Sequence, residues 1–115
     1  MKYRPLRKEE RVLIEALLDN EGVVDSYIEF LDQARVADMK DGGMGSIQFE
    51  SYDSRQYGKT LAEARYQDTD GVPVSIALNV DKDENLFELD IWKVDFSPLN
   101  RYPQTSDLEF RKFGN

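Results

Sequence analysis

Histidine and cysteine are both absent from this chain of 115 residues. Without cysteine there are no disulfides and no thiolate metal sites. Without histidine no Ser-His-Asp or Cys-His mechanism can be assembled, and no side chain titrates near neutrality unless its surroundings move it. A zinc site would need carboxylates alone, which is uncommon. No apolar run approaches the roughly 18 residues that cross a membrane, and the opening Met1 to Glu10 lacks the apolar stretch of a signal peptide. Basic charge is scarce too: 23 acidic residues against 15 basic ones leave a net charge of −8. An acidic surface repels phosphate backbones and anionic lipids, so neither nucleic acid nor a membrane is an expected partner. The one basic cluster, Lys2, Arg4, Arg7, Lys8 and Arg11, is interrupted by Glu9 and Glu10 and reads as a solvated helix start. The remaining expectation is a cytoplasmic protein without a cofactor, either a monomer or a weak homodimer. Its length fits a single domain spanning residues 1–115.

The clearest pattern lies between Gly71 and Phe96. Val72, Val74, Ile76, Leu78 and Val80 occupy every second position, the periodicity of a strand with one buried face. Phe87, Leu89 and Ile91 then alternate with Glu88, Asp90 and Trp92. Lys82 to Asn85 joins the two runs, and Thr69-Asp70-Gly71 joins the first run to an earlier one, Leu61 to Gln67. These turns set a register in which Tyr66 faces Val74, Ala64 faces Ile76, Ile76 faces Ile91 and Leu78 faces Leu89. Burying the five apolar residues of Val72 to Val80 contributes roughly 7–15 kcal/mol at most, so this strand should be central.

Upstream the period is helical. Leu13, Ile14, Leu17 and Leu18 share one face of a helix over about 8–18, and Tyr27, Ile28, Leu31 and Ala34 share one over about 25–33. Ser26 and Glu29 offer a capping box for the second. Short strands follow at Val36 to Met39 and Ile47 to Ser51, then a loop from Tyr52 to Lys59. The prediction is an α+β fold in which two N-terminal helices pack on one face of a five-strand antiparallel meander sheet over about 36–96. The tail, 97–115, carries Pro98 and Pro103 and no strand pattern; its Leu99, Tyr102, Leu108, Phe110 and Phe113 should pack back on the body.

Two stretches stand out as motifs: Asp41-Gly42-Gly43-Met44-Gly45-Ser46 and Phe87-Glu88-Leu89-Asp90-Ile91-Trp92-Lys93-Val94-Asp95-Phe96. With the Arg4-Pro5-Leu6 opening and the Asp68-x-Asp70-Gly71 turn, they resemble a family of small bacterial proteins known mainly as a domain of unknown function. The resemblance implies a single uncharacterised domain and lends no activity, cofactor or catalytic residue.

Three places could carry function. The glycines of Asp41 to Ser46 could converge backbone N–H groups on an anion, but the Gly-Lys-Ser/Thr ending and following helix of a phosphate loop are missing. A tight turn with Met44 plugging the core, or a loop that docks a partner, fits better. Asp81-Lys-Asp83-Glu-Asn85 imitates the start of a calcium loop, but Leu86 and Trp92 stand where glycine and glutamate are required. The outer sheet face is richer. Arg65, Ser75 and Trp92 form one row, Glu63, Ala77 and Asp90 the next, and Leu61, Asn79 and Glu88 a third. Small residues on the middle strand leave a trough walled by Glu63 and Arg65 on one side and Glu88, Asp90 and Trp92 on the other. Such a trough could hold a cationic or sugar-like ligand, or place a carboxylate acid–base pair. The plainer arrangement has Arg65 pairing with Asp90 across Ser75 while the tail covers Trp92; a bulge near Trp92 and Lys93 would return Val94 and Phe96 to the core. Charge and size favour a non-catalytic interaction module with a protein partner; the alternatives are a small-ligand binder and a carboxylate hydrolase.

Overall fold

A computed structural model describes residues 2–51 and 56–111. In chain order the elements are β1 (Arg4–Pro5), α1 (Lys8–Asn20), α2 (Val24–Gln33), β2 (Arg35–Asp38), β3 (Ile47–Phe49), β4 (Tyr57–Gln67), β5 (Pro73–Asp81), β6 (Leu86–Lys93) and β7 (Glu109–Phe110), with a 3-10 turn at Thr105–Asp107. Among the described residues the strands form one antiparallel sheet of seven, ordered β1-β2-β3-β6-β5-β4-β7. The fold is α+β, but two features of the expected sheet are corrected. Two further strands flank the expected five, and the order is not a meander, because β3 pairs with β6 instead of β4. Alternation fixes which way a side chain points; it carries no information about which strand lies next door.

The central hairpins keep their expected register: Tyr66↔Val74, Ala64↔Ile76, Ile76↔Ile91 and Leu78↔Leu89. Asp68 donates its backbone N–H to the Val72 carbonyl, closing the first turn as the sequence requires. Near the second turn the pairing slips by one residue: Asn79 faces Glu88, but Val80 faces Leu86. Phe87 is the extra residue of that bulge; Leu86 takes the buried position and Phe87 is only half-buried. No slip occurs at Trp92 or Lys93, which face Ser75 and Val74, so the alternative of a bulge there does not hold. Lys93 therefore points inward, while Val94 and Phe96 stay exposed.

Leu13, Ile14, Leu17 and Leu18 of α1 and Leu31 of α2 form one buried cluster with Val36, Phe49, Val74, Ile76, Leu78, Leu89 and Ile91. Inside α1, Glu10 accepts the backbone N–H of Arg7, a cap that satisfies one free donor of the first turn. The capping box expected of Ser26 does not form: α2 begins one turn position earlier, capped at Val23, which places Ser26 within the first turn. Glu10 is itself buried and clamped by both terminal nitrogens of Arg4 at 2.9 Å, with Asp38 completing the group. Arg11 pairs with Glu15 and Asp32, so much of the basic cluster is already neutralised. Part of the expected Tyr52–Lys59 loop lies outside the described residues, and its end, Tyr57 to Lys59, belongs to β4. No helix is long and apolar enough to cross a membrane.

Candidate binding cleft on the outer sheet face

The face opposite the buried cluster carries the expected rows. Arg65, Ser75 and Trp92 stand in register, as do Glu63, Ala77 and Asp90. In the third row a bulge in β4 replaces Leu61 with Thr60, giving Thr60, Asn79 and Glu88, which Gln48 of β3 and Ala37 of β2 extend. Across this face lies an open cleft of about 940 Å³. Ser75, Ala77 and Asp90 form part of its floor; one wall is the Met39 to Ser46 segment and the other is Glu109 to Arg111.

Sheet order explains the first wall. Because β3 lies beside β6, the loop that precedes β3 stands over the Asp90 and Trp92 side of the sheet. Asp41 holds this loop together: its carboxylate accepts the N–H groups of Met44 (3.1 Å) and Ser46 (2.8 Å). Gly42, Gly43 and Gly45 all have positive φ, between 75 and 94°, where a Cβ would be strained. An added Cβ at Gly43 would also press on Pro98 at 3.2 Å. Met44 is buried and its sulfur receives the Lys93 N–H. The Ser46 hydroxyl both accepts the Ile91 N–H (2.9 Å) and donates to the Ile91 carbonyl (3.2 Å). These groups are committed to the loop's own shape, and the loop forms one wall of the cleft.

The second wall comes from the tail, and sequence reasoning missed it. β7 pairs with β4, Arg65 binds Glu109 at 3.0 Å, and Arg111 binds Glu63 at 2.8 Å. Arg65 therefore does not pair with Asp90, and the described part of the tail leaves Trp92 50% exposed, its ring tilted 39° to that of Phe96 with centres 6.1 Å apart. A two-residue strand leaves almost no alternation to read, which is why the tail looked irregular.

Beside the floor residue Asp90, Asn79 is buried and donates to both Glu88 (3.3 Å) and Asp90 (2.9 Å). Its own carbonyl accepts the Thr60 hydroxyl, which in turn meets the Tyr57 hydroxyl. This chain fixes the amide's orientation. Neither carboxylate has a lysine or arginine partner among the described residues. Burial raises the Glu88 carboxyl above its ordinary range and the neighbouring Asp90 charge adds to this; burial raises Asp90 as well.

A different group, also missed, anchors one end of the sheet. Lys93 is fully buried; its ammonium meets Asp68 at 3.0 Å, Asp70 at 2.7 Å and the Pro98 carbonyl at 3.2 Å. Asp68 also accepts the N–H groups of Thr69, Asn100 and Arg101. Burial alone would push Asp68 up, but these donors together hold it below its ordinary value. The Lys93 hydrogen bond does the same for Asp70. The signal was present in the sequence: Lys93 falls at an inward parity, two residues beyond Ile91. In the calcium-like turn, Asp81 spends its carboxylate on the N–H groups of Asp83 and Asn85. Among the described residues, no three acidic side chains are placed to hold a metal ion.

Fold and cleft together define an α+β domain with a seven-stranded antiparallel sheet, one face of which is open and acidic at its centre. The family described as Domain of unknown function (DUF6984) matches residues 3–103, and the chain belongs to it. No curated protein and no solved structure matches the chain.

Proposed function

We propose that this domain is a non-catalytic recognition module that contacts a basic protein partner through its outer sheet face, the two helices covering the inner one. The observation that carries this reading is the Glu88–Asp90 pair: two half-buried carboxylates on the outer face, the second of them lining the open cleft, with no cation of their own among the described residues. Desolvating like charges together is unfavourable, and an incoming cation relieves that cost. The net charge of −8 would steer a basic partner toward the surface. A cytoplasmic monomer, at most weakly self-associating, fits this role.

Matched pools of basic and acidic peptides passed over the immobilised domain test the reading. The basic pool should be retained and released by salt, and Glu88→Lys with Asp90→Lys should abolish retention. Equal retention of the acidic pool, or indifference to the charge reversal, would falsify it. A carboxylate hydrolase is the second reading, favoured because both carboxyls are pushed upward, as a general acid requires. Glycoside cleavage, however, places the sugar between carboxyls set roughly 5–10 Å apart, whereas Glu88 and Asp90 crowd a single amide group. Turnover of chromogenic glycosides that disappears in Asp90→Asn would promote it over the first.

A further inference from the structure

The outer face has a polar end and an aromatic end, and their spacing is set by one strand. Glu88, Asp90 and Trp92 all belong to β6 and point the same way. Neighbours two residues apart on a strand lie about 7 Å from one another. At the polar end, the Asn79 amide gives one proton to each carboxylate, and the two carboxyls lie within hydrogen-bonding reach of each other. On the walls Glu63 is paired with Arg111 and Arg65 with Glu109. Lys40 stands exposed on the rim and is in no ion pair with the floor.

The aromatic end is unusual for a different reason. Phe96 is 69% exposed, yet its backbone is left-handed, with φ of 63°. That conformation is a rarity for a bulky side chain and costs of order 1 kcal/mol or more. The turn is pinned nonetheless: Phe96 donates its N–H to the Lys93 carbonyl, and Ser97 donates both its N–H and its hydroxyl to Asp95. The strained turn holds the Phe96 ring in water beside Trp92, where no intramolecular burial explains it.

We infer that the outer face docks an extended segment of a partner protein carrying an arginine and an apolar residue two positions apart. The guanidinium sits against Glu88 and Asp90, and the apolar side chain lies on Trp92 and Phe96. This rests on the recognition reading above and names its partner. In an extended peptide, side chains two apart share a face at the same spacing that separates Asp90 from Trp92. Arginine suits this floor better than lysine, because its fork of donors can address two separate oxygens and it is more weakly hydrated than an ammonium.

Trp92 is the sole tryptophan, so its emission reports directly on the cleft. The test titrates the intact domain with short synthetic peptides containing Arg-x-Phe or Phe-x-Arg. Controls carry Lys-x-Phe, Arg-x-Ser or Glu-x-Phe, and agmatine serves as a free guanidinium compound. One of the two Arg/Phe orders should bind tightest, and replacing either its arginine by lysine or its phenylalanine by serine should weaken binding about tenfold. Glu88→Gln with Asp90→Asn should erase the preference for arginine over lysine, and Phe96→Ala the preference for phenylalanine over serine. Thermal unfolding of each variant confirms that it is folded. If all basic peptides bind alike, the spacing rule is wrong while the recognition reading survives. If no basic peptide perturbs Trp92 or is retained, both are wrong. Agmatine competing at peptide concentrations overturns the docking of a protein segment in favour of a small-molecule site.

Discussion

Two acidic pairs of the same spacing occur in this molecule, Asp68 with Asp70 and Glu88 with Asp90, and they have opposite surroundings. The first encloses the Lys93 ammonium, and both of its carboxyls are held below their ordinary values. The second encloses only the neutral Asn79 amide, and both of its carboxyls are raised. One pair is an internal fastening that ties the 98–101 segment to the β4–β5 turn. The other is half-buried on the outer face, with Asp90 lining the cleft. The contrast separates charge that holds the fold together from charge the fold merely tolerates, and the latter is where a partner is to be sought.

Breaking the fastened pair should give the largest effect. Asp68→Ala takes one of two carboxylates from the buried Lys93 ammonium and leaves three backbone N–H groups without their acceptor, and should lower unfolding free energy by about 3–5 kcal/mol in denaturant titration. Acid should single out the same pair. Asp68 and Asp70 contribute stability that is present above the ordinary carboxylate range and is lost as pH falls through their depressed folded values. A stability profile that stays flat from neutrality to well below pH 4 would contradict this. The open pair should respond with the opposite sign. Its raised carboxyls take up protons in the folded state first, so their contribution improves as pH falls through the window between ordinary and raised values. Glu88→Gln and Asp90→Asn should accordingly stabilise the free domain at neutral pH, by up to about 1 kcal/mol. A loss of stability in both would place these residues with the fastening and not with recognition.

Much of this arrangement could be read beforehand. Turn lengths and alternation placed Tyr66 against Val74 and Ile76 against Ile91, and from these the rows containing Glu63, Arg65, Asp90 and Trp92 followed. What escaped was long-range. That β3 joins β6, that Arg65 finds Glu109 and that Glu63 finds Arg111 depend on segments far apart in the chain. Lys93 escaped because hydropathy treats lysine as a surface residue, and a bulge was invoked to bring Val94 and Phe96 inward instead. Its burial becomes intelligible once Asp68 and Asp70 are seen to converge on it.

The Ser46 hydroxyl has a mechanical consequence. β3 stops at Ile47 on the side of the cleft, and one side chain then continues its ladder by exchanging both hydrogen bonds with Ile91. A serine thus substitutes for a length of strand at the place where the chain must peel away, and β6 keeps its main-chain bonds satisfied under the gap. The rim is thereby welded to the sheet before any guest arrives, and little ordering entropy is left to be lost on contact.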